Sequence, residues 1–314
     1  MYYAPGNTLL FPGRRRQKWF RKAFDSLQDS PAGDTYISPP AKQPREIEIV
    51  NTVPGESRSV KVFTLGRFEI VIDGVPLRFP SKAPRKPLAL LKALLCAGGS
   101  GMRQDALQDA LWPESDASLA RRALSTTVYR LRRLLRHPHV LAFADGWITL
   151  EPELCWVDAW AFEEAAGLTQ DPSALRAALG LYGGAFLSGY DCPLALEARK
   201  RLRRKYVQVA LRVGQQHEQG GETGSAIELY ERALDMDCTS EDVHRALMRC
   251  LVREGKPAAV GAVYQRCRSM LRLHFAAGPS PATEQVYREA GLGRPPVSPS
   301  FVVRGTPRVR QGAA

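Results

Sequence analysis

The periodic signals along the chain begin at Val60. Residues 60–72 alternate apolar and polar positions and are rich in β-branched side chains (Val60, Val62, Ile70, Ile72), as a half-buried strand pair requires. Asp73-Gly74 follows, then Val75-Pro76-Leu77, and Asp-Gly between such runs predicts a tight hairpin. Pro84 and Pro87 precede an apolar helical stretch from Leu88 to Cys96, closed by Gly98, Gly99 and Gly101. A second helix is predicted over 103–111, with Leu107 and Leu111 one turn apart. It ends at Trp112-Pro113, because the residue before a proline avoids the helical region. A third helix is predicted over 119–136. Leu124, Val128, Leu131 and Leu135, at spacings of four, three and four, give it one apolar stripe. Val140 to Phe143, Asp145-Gly146 and Trp147 to Leu150 predict a second hairpin.

The order is therefore strand pair, three helices, strand pair. Beyond it the pattern changes, and residues 153–290 read as helical throughout. A repeat is visible there: the octet from Ala226 to Ala233 aligns with that from Val260 to Cys267, placing Tyr230 and Tyr264 34 residues apart. That is the tetratricopeptide period, although an ordinary helical bundle is the simpler alternative. Gly214 and Gly221 read as turn positions, and an upstream unit around Leu179-Tyr182-Gly183 is less regular. The organisation expected is a basic, Pro-rich leader over 1–58, a DNA-binding domain over 59–152, an all-α repeat domain over 153–290 and a flexible tail over 291–314. Within the leader, Trp19, Phe20, Ala23, Phe24 and Leu27 share one helical face opposite cations. That segment fits a membrane-surface helix, a partner-docking helix or a basic arm on DNA. As an isolated short helix it is marginal in water, which favours an unstructured leader.

Charge sharpens this picture. The 314-residue chain carries a net +12. Residues 61–150 alone carry +7, residues 151–290 carry −2, residues 1–60 carry +3 and residues 291–314 carry +4. The excess is densest on the third helix, which holds Arg121, Arg122, Arg130, Arg132, Arg133 and Arg136 and no acid. Opposite its apolar stripe lie Arg122, Ser125, Thr126, Tyr129 and Arg133. An α-helix fits the major groove of B-DNA, and a helix used in this way is braced on another by its apolar side. Arginine suits the outer face as a permanent charge and as a bidentate donor to guanine, while hydroxyls and the Thr methyl can meet base edges. The alternative is a solvated helix face, but such faces usually mix signs to form i,i+4 pairs. The reading is a winged helix-turn-helix. Its candidate DNA-binding residues are Arg121, Arg122, Ser125, Thr126, Tyr129, Arg130, Arg132 and Arg133, and the 140–150 hairpin is the wing. A second basic run, Arg199 to Lys205, is compatible with DNA, a partner or solvent.

Other chemistry finds little support. The chain has no P-loop, no H-E-x-x-H and no G-x-S-x-G, and Glu163-Glu164, being adjacent, point to different helix faces. No catalytic role and no cofactor is expected. The six cysteines have no C-x-x-C spacing, so neither a zinc site nor a disulfide framework is expected and all six read as buried thiols. His137 and His139 form a loop pair without a third ligand. The chain has no apolar run of 18 residues and no secretory signal, so a cytoplasmic protein is expected. The second functional reading is a repeat scaffold whose arginine helix binds an acidic partner or RNA.

Several phrases, in this order, resemble one family. They are Leu65-Gly66-Arg67-Phe68, Leu107 through Trp112-Pro113, Leu131-Arg132-Arg133-Leu134-Leu135, Leu181-Tyr182-Gly183-Gly184-Ala185-Phe186-Leu187, His244 to Arg249 and Gly278 to Thr283. Over about residues 60–290 the chain resembles the bacterial transcriptional activator domain proteins, which are related to the actinobacterial antibiotic regulatory (SARP-type) proteins. The resemblance implies a winged helix like the effector domains of response regulators. It further implies binding to double-stranded DNA at promoter repeats as paired protomers, and activation through contact with RNA polymerase. No receiver pattern precedes the DNA-binding region and no ATPase pattern follows the repeats, so phosphorylation control within this chain is not expected.

Overall fold

The computed structural model describes residues 58–79, 82–168 and 171–293. The leader's segment 14–27 and the tail beyond 293 lie outside these residues. The chain divides into two compact units, one ending at Val209 and the other starting at Ala210.

The first unit begins with strands β1 (Val60–Phe63), β2 (Glu69–Ile72) and β3 (Val75–Pro76). Val60, Val62, Ile70 and Ile72 point inward. Asp73 and Gly74 take φ of 48° and 79°, the left-handed pair that a two-residue hairpin of matching twist needs. The expectation of helix throughout 153–290 needs a correction here. Cys155–Val157 form a strand, β7, that pairs parallel to β1 and completes a sheet of order β3-β2-β1-β7. All three residues are buried, and a triplet this short carries no period to separate strand from helix. Leu65 also bridges Phe186. The first sheet thus draws on residues from both sides of position 152.

Helices α1 (Arg85–Ala97), α2 (Gln104–Leu111) and α3 (Ala117–Leu134) follow, within a few residues of their expected bounds. Strand β4 (Met102–Arg103) joins the hairpin β5 (Leu141–Ala144) and β6 (Trp147–Leu150) in a sheet of order β4-β6-β5. Asp145 and Gly146 repeat the left-handed pair at φ 49° and 78°. Leu90, Leu91 and Leu94 of α1, Leu107 and Leu111 of α2, and Leu124, Val128 and Leu131 of α3 form one core with Leu135, Ile148 and Leu150. Each such side chain contributes roughly 1.5–3 kcal/mol of burial.

Beyond β7 come α4 (Asp158–Gly167), α5 (Pro172–Leu181) and α6 (Pro193–Gln219), the last of which runs past the division between units. Asp158, at the first turn of α4, is buried. It accepts from Thr64 N, Thr64 Oγ1, Leu65 N and Ala159 N at 2.6–2.9 Å. Burial pushes its carboxyl above the usual aspartate range, while these donors favour the ionised form.

The second unit holds α7 (Thr223–Met236), α8 (Glu241–Arg253), α9 (Pro257–Phe275) and α10 (Pro281–Glu289), joined by short turns. The 34-residue spacing falls on α7 and α9, and Ala226, Tyr230 and Ala233 are buried in the same way as Val260, Tyr264 and Cys267. Gly214 is not at a turn, as its sequence neighbours suggest, but inside α6. A Cβ there would sit 2.3 Å from the Tyr230 ring, so glycine is what admits the tyrosine. The irregular upstream unit has its own packing, with Tyr182 stacked 4.4 Å from Tyr206 and 5.1 Å from Phe162. Five cysteines are buried and Cys238 is half-buried, the one departure from the expected set. Among the described residues, no helix is long and apolar enough to cross a membrane, and no cluster of three metal-ligating side chains occurs.

Candidate nucleic-acid interface

The site is built on α3. Its buried residues Ala120, Leu124, Thr127, Val128 and Leu131 face α1 and α2, and that fixes which side chains turn outward. Arg121, Arg122, Ser125, Thr126, Tyr129, Arg130 and Arg133 are all exposed. Tyr129 is 60% exposed, large for an aromatic ring in a folded domain. The Arg133 guanidinium lies 5.9 Å from that ring, within the range of a weak cation–π contact. Ser125 Oγ donates to Arg121 O at 3.1 Å and Thr126 Oγ1 to Arg122 O at 3.0 Å. With their protons engaged on the helix, these hydroxyls present acceptor lone pairs outward, and Thr126 also presents its methyl.

No carboxylate among the described residues pairs with Arg121, Arg122, Arg130 or Arg133. An acid earlier in the chain is engaged elsewhere. Asp105 pairs with Arg103 at 3.0 Å, and that hydrogen bond holds the Asp105 carboxyl below its ordinary value. Arg132 behaves differently from its neighbours. It is half-buried, its Nη2 donates to Leu141 O at 2.7 Å, and its guanidinium lies 5.1 Å from the Phe143 ring. The structure thus brings seven of the eight candidate residues to one face and turns Arg132 toward the hairpin as a tether.

The hairpin contributes residues that the sequence reading did not single out. Phe143 and Trp147 of the hairpin are 46% and 40% exposed. The signal was available, because Ile148 and Leu150 point inward and alternation sends Trp147 outward. The turn is fixed to α2 through Gln104 N, which donates to Gly146 O at 2.8 Å.

The second basic run, on α6, is arranged in the opposite way. Arg199 donates to the carbonyls of Phe186, Leu187 and Tyr190 at 2.6–2.8 Å and to Asp191 at 2.7 Å. Arg201 and Lys205 both reach Glu163, at 3.0 and 3.6 Å, and Lys200 reaches Glu197 at 3.3 Å. Arg199 thereby fastens α6 to the loop before it, Arg201 and Lys205 fasten it to α4, and the Lys200 pair stays within the helix.

Comparison with known proteins finds similarity over much of the chain. Residues 157–290 match the family model described as the bacterial transcriptional activator domain. Over 243 residues, 74% of the chain, the sequence is 30% identical to the regulatory protein AfsR of Streptomyces coelicolor. The match spans 24% of that protein's length. A solved structure of Mycobacterium tuberculosis EmbR, in complex with a low-affinity phosphopeptide, is similar at a TM-score of 0.59 and 22% identity, over 76% of this chain and 67% of that one. The likeness to EmbR is one of fold, a mostly helical chain with a small N-terminal sheet region. Residues 157–290 are thus the part of the chain that carries the bacterial transcriptional activator domain.

Proposed function

We propose that the chain is a cytoplasmic, sequence-specific DNA-binding transcriptional activator. Residues 60–150 act as a winged helix-turn-helix of the response-regulator effector type. Helix α3 enters the major groove with Arg121, Arg122, Ser125, Thr126, Tyr129, Arg130 and Arg133 outward, and the β5–β6 hairpin lies along the adjacent backbone as the wing. The tetratricopeptide-like helices α7–α10 form a surface for RNA polymerase or a regulatory partner, and two protomers occupy repeated promoter sites.

One observation carries the reading. The guanidinium groups on the outer face of α3 have no carboxylate partner among the described residues, and their mutual repulsion is relieved by a polyanion. The test is the salt dependence of binding to a duplex, measured by fluorescence anisotropy. Affinity falls steeply as salt rises, and Arg133→Ala weakens it. Replacing Tyr264 leaves duplex binding intact and lowers transcription activation. Unchanged duplex affinity in the Arg133 variant, with a shallow salt slope, would overturn the assignment and return the α3 face to the role of an acidic-protein or RNA surface.

A further inference from the structure

The start of α1 and the second half of α3 share an open depression of about 530 Å³. Four cations line it: Arg85 and Lys86 from α1, Arg130 and Arg133 from α3. Pro84, Pro87 and Leu134 supply apolar wall. The helix start adds to the same sign of charge, because α1 has no capping side chain and no acid in its first turn. Basic residues at a helix N-terminus oppose the macrodipole, so Arg85 and Lys86 stand where an isolated helix would disfavour them. Lys86 is held in place, its Nζ donating to Leu111 O at 2.6 Å and lying 5.3 Å from the Trp112 ring. Burial pulls its ammonium below the ordinary lysine value. No carboxylate lines the depression.

We infer that this depression is a clamp for one sugar–phosphate unit of the DNA strand that borders the groove occupied by α3. Arg85, Arg130, Arg133 and the helix start take the phosphate, and the prolines and Leu134 pack on the carbon face of the deoxyribose. The openness of the depression matters to the choice of ligand. A small phosphorylated molecule is held best in an enclosed pocket, whereas a polymer strand needs a site it can enter and leave at both ends. The clamp rests on the proposed DNA-binding role and adds Arg85, on a different helix, to its contact set. Such a contact fixes the register of the protein on the duplex without reading bases.

The decisive variant is Arg85→Ala, because Arg85 is exposed and its removal leaves the core intact. Binding of the full chain to two unrelated 30-base-pair duplexes is measured between about 50 and 200 mM salt. The expected result is a several-fold loss on both duplexes alike, with the salt slope reduced by about one. Ethylation interference supplies a second reading: one phosphate whose modification blocks the unaltered protein ceases to matter for the variant. If Arg85→Ala keeps full affinity and slope while Arg133→Ala loses binding, the clamp is refuted and the α3 assignment stands. If neither variant changes binding, both fall. Saturation of the site by millimolar inorganic phosphate alone, followed by NMR on the full chain, would instead identify a free-anion pocket and overturn the strand clamp.

Discussion

Two helices of this protein carry runs of basic residues, and they put them to opposite uses. On α3 the arginines at 121, 122, 130 and 133 point outward with no described carboxylate in reach. On α6, Arg199 saturates three backbone carbonyls, and Arg201 and Lys205 share Glu163. The runs over 121–136 and 199–205 each hold six basic residues, so counting them does not tell the two apart. What separates them is the tertiary location of acceptors. A guanidinium with its donors filled is a structural fastener, while one facing solvent among like charges keeps its donors open to solvent.

The sharpest way to break the contrast is charge reversal on α3. Arg130→Glu combined with Arg133→Glu is expected to lower duplex affinity by at least about 100-fold, through lost counterion release and added repulsion of phosphates. The thermal midpoint should stay unchanged, as calorimetry of the same sample will check. The reciprocal change, Arg199→Ala, strips the partner from three carbonyls in a half-buried loop. It is expected to cost about 2–4 kcal/mol in urea unfolding, with duplex affinity of the folded fraction unaltered. A fall in affinity without loss of stability would place α6 in the interface and erase the distinction.

Arg132 tests the contrast inside a single helix. Although it sits on α3, its bond to Leu141 O makes it resemble Arg199. Arg132→Ala should loosen the hairpin by about 1 kcal/mol, seen as faster amide exchange at Leu141 and Phe143, and leave the salt slope of binding where it was. The smallest effect belongs to Arg201→Ala. Its pair with Glu163 is solvent-exposed, and less than about 1 kcal/mol of stability is expected to go with it in a denaturant titration.

Much of the fold was legible before any coordinates. Asp73-Gly74 and Asp145-Gly146 named both hairpin turns, because a two-residue loop with left-handed φ at each position admits few side chains. The leucine spacing of α3 named its buried stripe and thereby its exposed face. Two features were illegible for definite reasons. Strand β7 is too short to show a period, and its partner β1 lies nearly a hundred residues away. Gly214 looked like a turn glycine because the sequence does not say that Tyr230, sixteen residues on, leans on that spot.

Local pattern alone therefore determined the two hairpins, the three helices between them, the amphipathic character of α3 and the 34-residue recurrence, since each depends on neighbours within a few turns or on self-similarity along the chain. The tertiary structure alone decided which arginines face solvent without a carboxylate partner among the described residues, that Arg132 and Arg199 act as tethers, and that Arg85 and Lys86 gather beside Arg130 and Arg133. Those outcomes depend on acceptors and cations contributed by distant segments, and no spacing along one helix encodes where such partners will stand once the chain has packed.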